Sequence, residues 1–131
     1  MHYKQQQLED QLRALCDDLD EYLEDTYGAE YHLRPNRQPR GTTSSNQYDG
    51  LFATAPAFTL GYGSEHGKGY VVEISLCTFD WIEPKRRKEM FDDAFAYVNA
   101  ILPHYFPDRA LSIVHDGNVM KIVGDFSLGD V

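Results

Sequence analysis

The sequence predicts an α+β domain: a two-layer sandwich in which one antiparallel sheet, made of two hairpins, carries two helices on one face, in the order α-β-β-α-β-β. Three observations carry that reading. Leu8, Leu12, Leu15, Leu19 and Leu23 recur at spacings of three and four, the period of a helix with one buried stripe. Residues 69–79, GYVVEISLCTF, alternate apolar and polar, as a strand with one buried face does. Asp116-Gly117 stands between two apolar runs, a short-range hairpin signal.

The first helix is expected over residues 5–26, with Gly28 as its stop. Cys16 flanks the leucine stripe and reads as a small core residue. Asp10, Asp17, Glu21 and Glu24 fall on another face, which reads as solvated. No histidine stands at the i+3 position that carboxylate metal bundles use.

Residues 34–50, RPNRQPRGTTSSNQYDG, contain no acid before Asp49, although the preceding 33 residues hold nine acids against only Lys4 and Arg13. Pro35 and Pro39 bias the chain towards polyproline II, which has three residues per turn. Arg34, Arg37 and Arg40 would then form one ridge, backed by the hydroxyls of Thr42, Thr43, Ser44 and Ser45. Such a ridge has two uses. It can brace the acidic helix of its own chain, or it can hold a phosphate or carboxylate.

Residues 51–62 read as a strand with Phe52, Thr54, Phe58 and Leu60 on one side, and Pro56 makes it an edge strand or a bulged one. In the next strand Tyr70, Val72, Ile74 and Leu76 face inward, while Glu73, Ser75 and Cys77 face away. The two strands pair as a long hairpin around GYGSEHGKG. A second helix follows, with Asp80 and Glu83 as a capping box and Pro84 in its first turn. Its apolar stripe is Met90, Phe91, Ala94, Val98, Ile101, Leu102 and Tyr105, and Pro103 and Pro107 end it. The KRRK run at 85–88 reads as a solvated face, with Lys85 reaching Glu89 and Lys88 reaching Asp92. In the last hairpin a two-residue turn would pair His115 with Asn118, Ile113 with Met120 and Leu111 with Ile122. All 131 residues form one domain.

Composition excludes several classes of function. A net charge of −9 argues against nucleic acid, which needs a basic surface. No apolar run approaches about 18 residues and the N-terminus has no apolar signal region, so no membrane association is expected. Two cysteines make no disulfide framework, which points to the cytoplasm. The glycines at 61, 63, 67 and 69 match neither the dinucleotide nor the P-loop spacing, and no cofactor or metal is expected.

The leading expectation is a small non-catalytic binding or adaptor domain. Arg34, Arg37, Arg40, Thr42 and Thr43, with His66 and Lys68 from the glycine-rich loop, would recognise an anionic small molecule or an acidic peptide. One alternative is a small enzyme that uses His66 as acid/base, beside Ser64 and Asp49, with arginines as an anion clamp. The other is a homo-oligomeric structural protein without ligand. A homodimer is expected through the uncovered sheet face of Val71, Glu73, Ser75 and Cys77.

Overall fold

The leucine stripe sets the first element. In the computed structural model, which describes residues 3–62, 66–116 and 119–126, helix α1 spans Tyr3–Tyr27. Leu8, Leu12, Leu15, Leu19, Leu23 and Cys16 are all buried. At Gly28 the main-chain N–H still donates to the Glu24 carbonyl, at 2.8 Å. A Cβ there would lie 2.5 Å from the same oxygen, so glycine is needed where the chain leaves the helix.

Strands β1 (Phe52–Thr59) and β2 (Gly69–Leu76) form the long hairpin, paired from Phe52↔Leu76 to Thr59↔Gly69. Helix α2 (Pro84–Tyr105) follows, then β3 (Leu111–Asp116) and β4 (Val119–Gly124). All pairings are antiparallel and the sheet order is β1-β2-β4-β3. The protein is thus the α+β arrangement that its periodicities predict. Helix α1 lies on β1 and α2 on β3. Phe52, Val72, Ile113, Met120 and Ile122 meet Ala94, Val98 and Leu102 in one core. Each large side chain so buried contributes about 1.5–3 kcal/mol. The helices are also tied to each other. Tyr22 stacks on Tyr97 at 4.1 Å between centroids, Tyr22 and Tyr27 donate to Asp93, and Tyr97 and Tyr105 donate to Asp18.

Several local expectations are corrected. In the last hairpin Ile113 pairs with Ile122 and His115 with Met120, so β4 is displaced by two residues from the expected register. Asp116 ends β3 opposite Val119, and Gly117 lies outside the described residues. A two-residue slip keeps every side chain on its face, which is why the core assignment survives the wrong turn. Cys77 lies beyond the end of β2 and is buried, not outward. No capping box forms: Glu83 is the N-cap and makes no side-chain bond. Asp80 accepts the His32 main-chain N–H at 2.8 Å instead. Pro103 sits inside α2, which closes one further turn through Phe106 N–H donating to the Leu102 carbonyl. Glu89 is bound by Arg86 rather than Lys85, while Lys88 does reach Asp92, at 2.6 Å.

Two features of the sheet matter for function. The outer edge of β1 is covered by side chains: Phe52 N–H donates to Glu24, the Phe52 carbonyl accepts from Arg37 and the Thr54 carbonyl from Arg13. Pro56 removes a further donor there, so this edge offers little to another strand. By contrast β4 meets β2 only from Tyr70↔Ile122 to Val72↔Met120. Residues 73–76 therefore have β1 on one side and, among the described residues, no strand on the other. The sheet face away from the helices is partly covered as well. Lys121, opposite Val71 and Val114, is buried there, with Nζ donating to the Gly67 carbonyl and to Asp116 Oδ2.

Ile113→Ala removes a buried side chain between β3 and α2 and should cost about 2–5 kcal/mol. The denaturant midpoint of the variant, compared with that of Ser112→Ala on the exposed side, checks it; equal midpoints would reverse the face assignment of this hairpin.

Candidate functional site

The arginine-rich stretch does not form a polyproline ridge. Arg37 N–H donates back to the Arg34 carbonyl at 3.0 Å, and Asn36 (φ 72°) and Gly41 (φ 89°) turn the chain into the left-handed region on either side. The three arginines consequently diverge. Arg34 is exposed, with its guanidinium carbon 6.0 Å from the Phe79 ring centroid. Arg37 donates to four main-chain carbonyls, those of Gln47 (2.8 Å), Gly50 (2.9 Å), Asp49 (3.0 Å) and Phe52 (3.3 Å), and so shapes the loop that enters β1.

Arg40 is the centre of a charged cluster. Its guanidinium donates to Asp20, to Glu24 Oε2 at 3.3 Å and to Asp49 Oδ1 at 3.1 Å. Each acid has a second duty. Asp20 accepts from the Thr54 hydroxyl at 2.9 Å. Glu24 accepts the main-chain N–H groups of Leu51 and Phe52. Asp49 accepts from Thr43 N–H, the Thr43 hydroxyl and Gly41 N–H. Thr42, beside them, is exposed and its N–H donates to the Pro39 carbonyl. Gly50 (φ 80°) lets the chain pass this close: a Cβ there would lie 2.8 Å from Glu24 and 2.9 Å from Arg40 Nε.

The electrostatics of the cluster follow from burial. Burial pushes the Asp20 carboxyl up to about 6, against the opposing pull of Arg40 and the Thr54 hydroxyl. Burial also acts to raise Asp49, but the bonds from Thr43, the Arg40 charge and Gly41 N–H outweigh it and hold that carboxyl below its usual range. Three acids share one guanidinium, and the chemistry of this arrangement is structural: it ties α1 to the loop and the loop to β1. Asp20 was not among the residues that sequence reasoning singled out. Its signal is its position, four residues after Cys16 and three before Leu23, an acid set inside the apolar stripe.

His66 and Lys68 stand at the other end of the β1–β2 hairpin. The arginine loop precedes Phe52 and the glycine-rich loop follows Thr59, and eight residues of strand span on the order of 25 Å. The structure therefore does not bring His66 and Lys68 together with Arg34, Arg37, Arg40, Thr42 and Thr43. Asp49 is buried in the Arg40 cluster, away from His66, and Ser64 lies outside the described residues.

A different concavity lies beside the uncovered half of β2. It encloses about 330 Å3 between that strand, the first turns of α2 and the end of α1. Leu23, Phe52, Ile74, Leu76, Met90 and Phe91 supply its apolar wall. Arg87, on the exposed side of α2, stands on its rim, and among the described residues no acid pairs with it. Val71 and Glu73 line it too, although they point to the opposite face of the sheet from Val72 and Ile74. Residues of both faces can line one cavity only where it runs along the edge of the strand.

A family model described as "Uncharacterised protein" matches residues 3–124, and the chain belongs to that family. An uncharacterized protein of Borreliella burgdorferi (strain ATCC 35210 / DSM 4680 / CIP 102532 / B31) is 36% identical over 120 residues, which is 92% of this chain and 94% of that protein. No solved structure matches.

Arg40→Ala strands Asp20, Glu24 and Asp49 without their cation and should cost roughly 3–5 kcal/mol, read as a fall in melting temperature; a loss within the range of an exposed ion pair would show that the cluster is not structural. The pH dependence has two limbs. Asp20 is raised from 3.8 to about 6 in the fold, so its contribution is complete below about pH 4 and is lost as pH rises through 6. Asp49 is lowered, so its contribution is present above 3.8 and is lost as pH falls through its folded value. Stability should therefore increase on going from pH 7 to 5 and decline below 4. Asp20→Asn should remove the first limb and leave the second.

Proposed function

We propose that this member of the family is a non-catalytic binding module that holds an extended acidic segment of a partner protein in the groove between β2 and α2. The observation that carries this reading is an apolar groove whose rim bears a cation, Arg87, with no acid paired to it among the described residues. Apolar side chains of a ligand would contribute about 1.5–3 kcal/mol each on burial, and an acid against Arg87 would orient the segment. The chain as a whole carries a net charge of −9, so Arg87 on the rim supplies a local attraction that an acidic ligand would need.

The arginine loop supports the same class of function less well. The N–H groups of Arg37 face main-chain carbonyls and the two terminal nitrogens of Arg40 face carboxylates, which leaves Arg34 as the one exposed guanidinium of the loop. Both cysteines are free and buried, which supports a reducing, cytoplasmic setting.

The test is fluorescence titration with labelled short peptides of alternating valine and threonine, carrying aspartates or, as control, lysines at one end. The aspartate peptides should bind in the micromolar range and the lysine peptides should not. Arg87→Glu should weaken binding about five- to tenfold, roughly 1–1.4 kcal/mol, at unchanged melting temperature. Equal affinity for both peptide sets, or indifference to Arg87→Glu, would defeat the proposal.

A further inference from the structure

Strand β3 ends the sheet on the side away from β1. Asp125 N–H donates to the Ala110 carbonyl at 3.3 Å, one step before the first pair of the β3–β4 register, Leu111↔Gly124. In an antiparallel ladder the residues that bond to the neighbouring strand alternate. Ser112, Val114 and Asp116, in step with Ala110, therefore turn their main-chain groups towards β4. Leu111, Ile113 and His115 turn theirs outward, and among the described residues no donor or acceptor meets them. The devices that close the β1 edge are missing here. Residues 111–115 hold no proline, no lysine and no acid.

We infer that this edge pairs with the same edge of a second copy of the chain, β3 against β3, about a two-fold axis at Ile113. The choice of occupant follows from the strand itself. Laid antiparallel in this register, Ile113 stands opposite Ile113 of the second copy and Leu111 opposite its His115, so every outward main-chain group of one strand meets one of the other. A register centred on Ser112 or Val114 would leave His115 or Leu111 with no strand residue opposite. The side chains agree with the pairing. His115 is exposed and lies flat on the Phe95 ring, at 4.1 Å between centroids, which holds it in place beside Leu111 of the second copy. The charges agree as well. Two chains of net charge −9 repel each other, but residues 109–115 carry Arg109 and no acid. The same register sets Asp116 opposite Ala110 of the second copy and next to its Arg109, so unlike charges meet at both ends of the contact. The two-fold stands perpendicular to the sheet and keeps both helix layers on one face, so the core of each copy is undisturbed.

Sedimentation equilibrium of the full chain over a concentration series, with amide hydrogen exchange at each concentration, tests the inference. The mass should rise from the 15.0 kDa of one chain to twice that value by about 100 µM. Over the same range the amides of Leu111, Ile113 and His115 should slow by about tenfold or more, while those of Ser112 and Val114, bonded to β4, should change little. His115→Pro removes one outward N–H per copy at an exposed position of an edge strand, where proline is tolerated. It should weaken association at least about tenfold. If that variant does not fold, the exchange pattern of the unaltered chain decides alone. The mass of a single chain throughout the series would overturn the inference. A dimer whose three outward amides exchange as in the monomer, or one that a folded His115→Pro variant leaves at full strength, would place the contact elsewhere and overturn it too.

Discussion

The fold hinges on the guanidinium of Arg40 set among Asp20, Glu24 and Asp49. Helix α1 brings two of these acids from its C-terminal half, and the long loop brings the third together with the arginine. Without the cation, Asp20 and Asp49 would be nearly fully buried charges, a state that a protein interior does not tolerate at neutral pH. Without the acids, the loop would have no fixed path from Tyr27 to Phe52. The basic composition of this loop in an acidic chain thus has an internal cause. It neutralises carboxylates of its own helix that packing has already removed from water. The arrangement is not fully satisfied, since Arg40 Nε is buried with no acceptor among the described residues. Its benefit is therefore a defined geometry more than a net gain in energy.

That geometry decides which sheet edge is closed. Because Arg40 holds the loop against α1, Arg37 lies along the start of β1, and Glu24 sits where it accepts the first main-chain N–H groups of the strand. A second sheet has no ladder to join at this point. On the other side of the hairpin the β2–β4 pairing ends at Val72↔Met120, and among the described residues no side chain caps the edge beyond it in the same way. One edge is capped by charge, and beside the far half of β2 lies an apolar groove.

How much of this was legible in the sequence differs from residue to residue. The inward set Val72, Ile74 and Leu76 could be read from alternation, and so could the edge position of β1 from Pro56. The groove beside Ile74 could not, because it lies between β2 and the first turns of α2 and depends on how those two elements pack. The arginine stretch reads as either a brace or an anion site. Spacing alone cannot decide between them, since it describes a ridge only if the backbone stays extended, and Asn36 and Gly41 break it. Glu24 was grouped with a solvated acidic face because nothing local marks it as different from Glu21.

The sequence by itself determined the class of fold, the order of its elements and the faces they bury. These depend on periodicity, and a period of 3.6 or 2 survives small errors in register or cap. Only the tertiary structure decided which charges meet and which strand edge the side chains of α1 and its loop cover. The partners of Arg40 come from 9, 16 and 20 residues away, and the groove beside Ile74 takes Met90 and Phe91 from the helix that follows the strand. Such pairings are set by how the layers pack, because a charge or a main-chain group finds its partner through space after burial has fixed the distances.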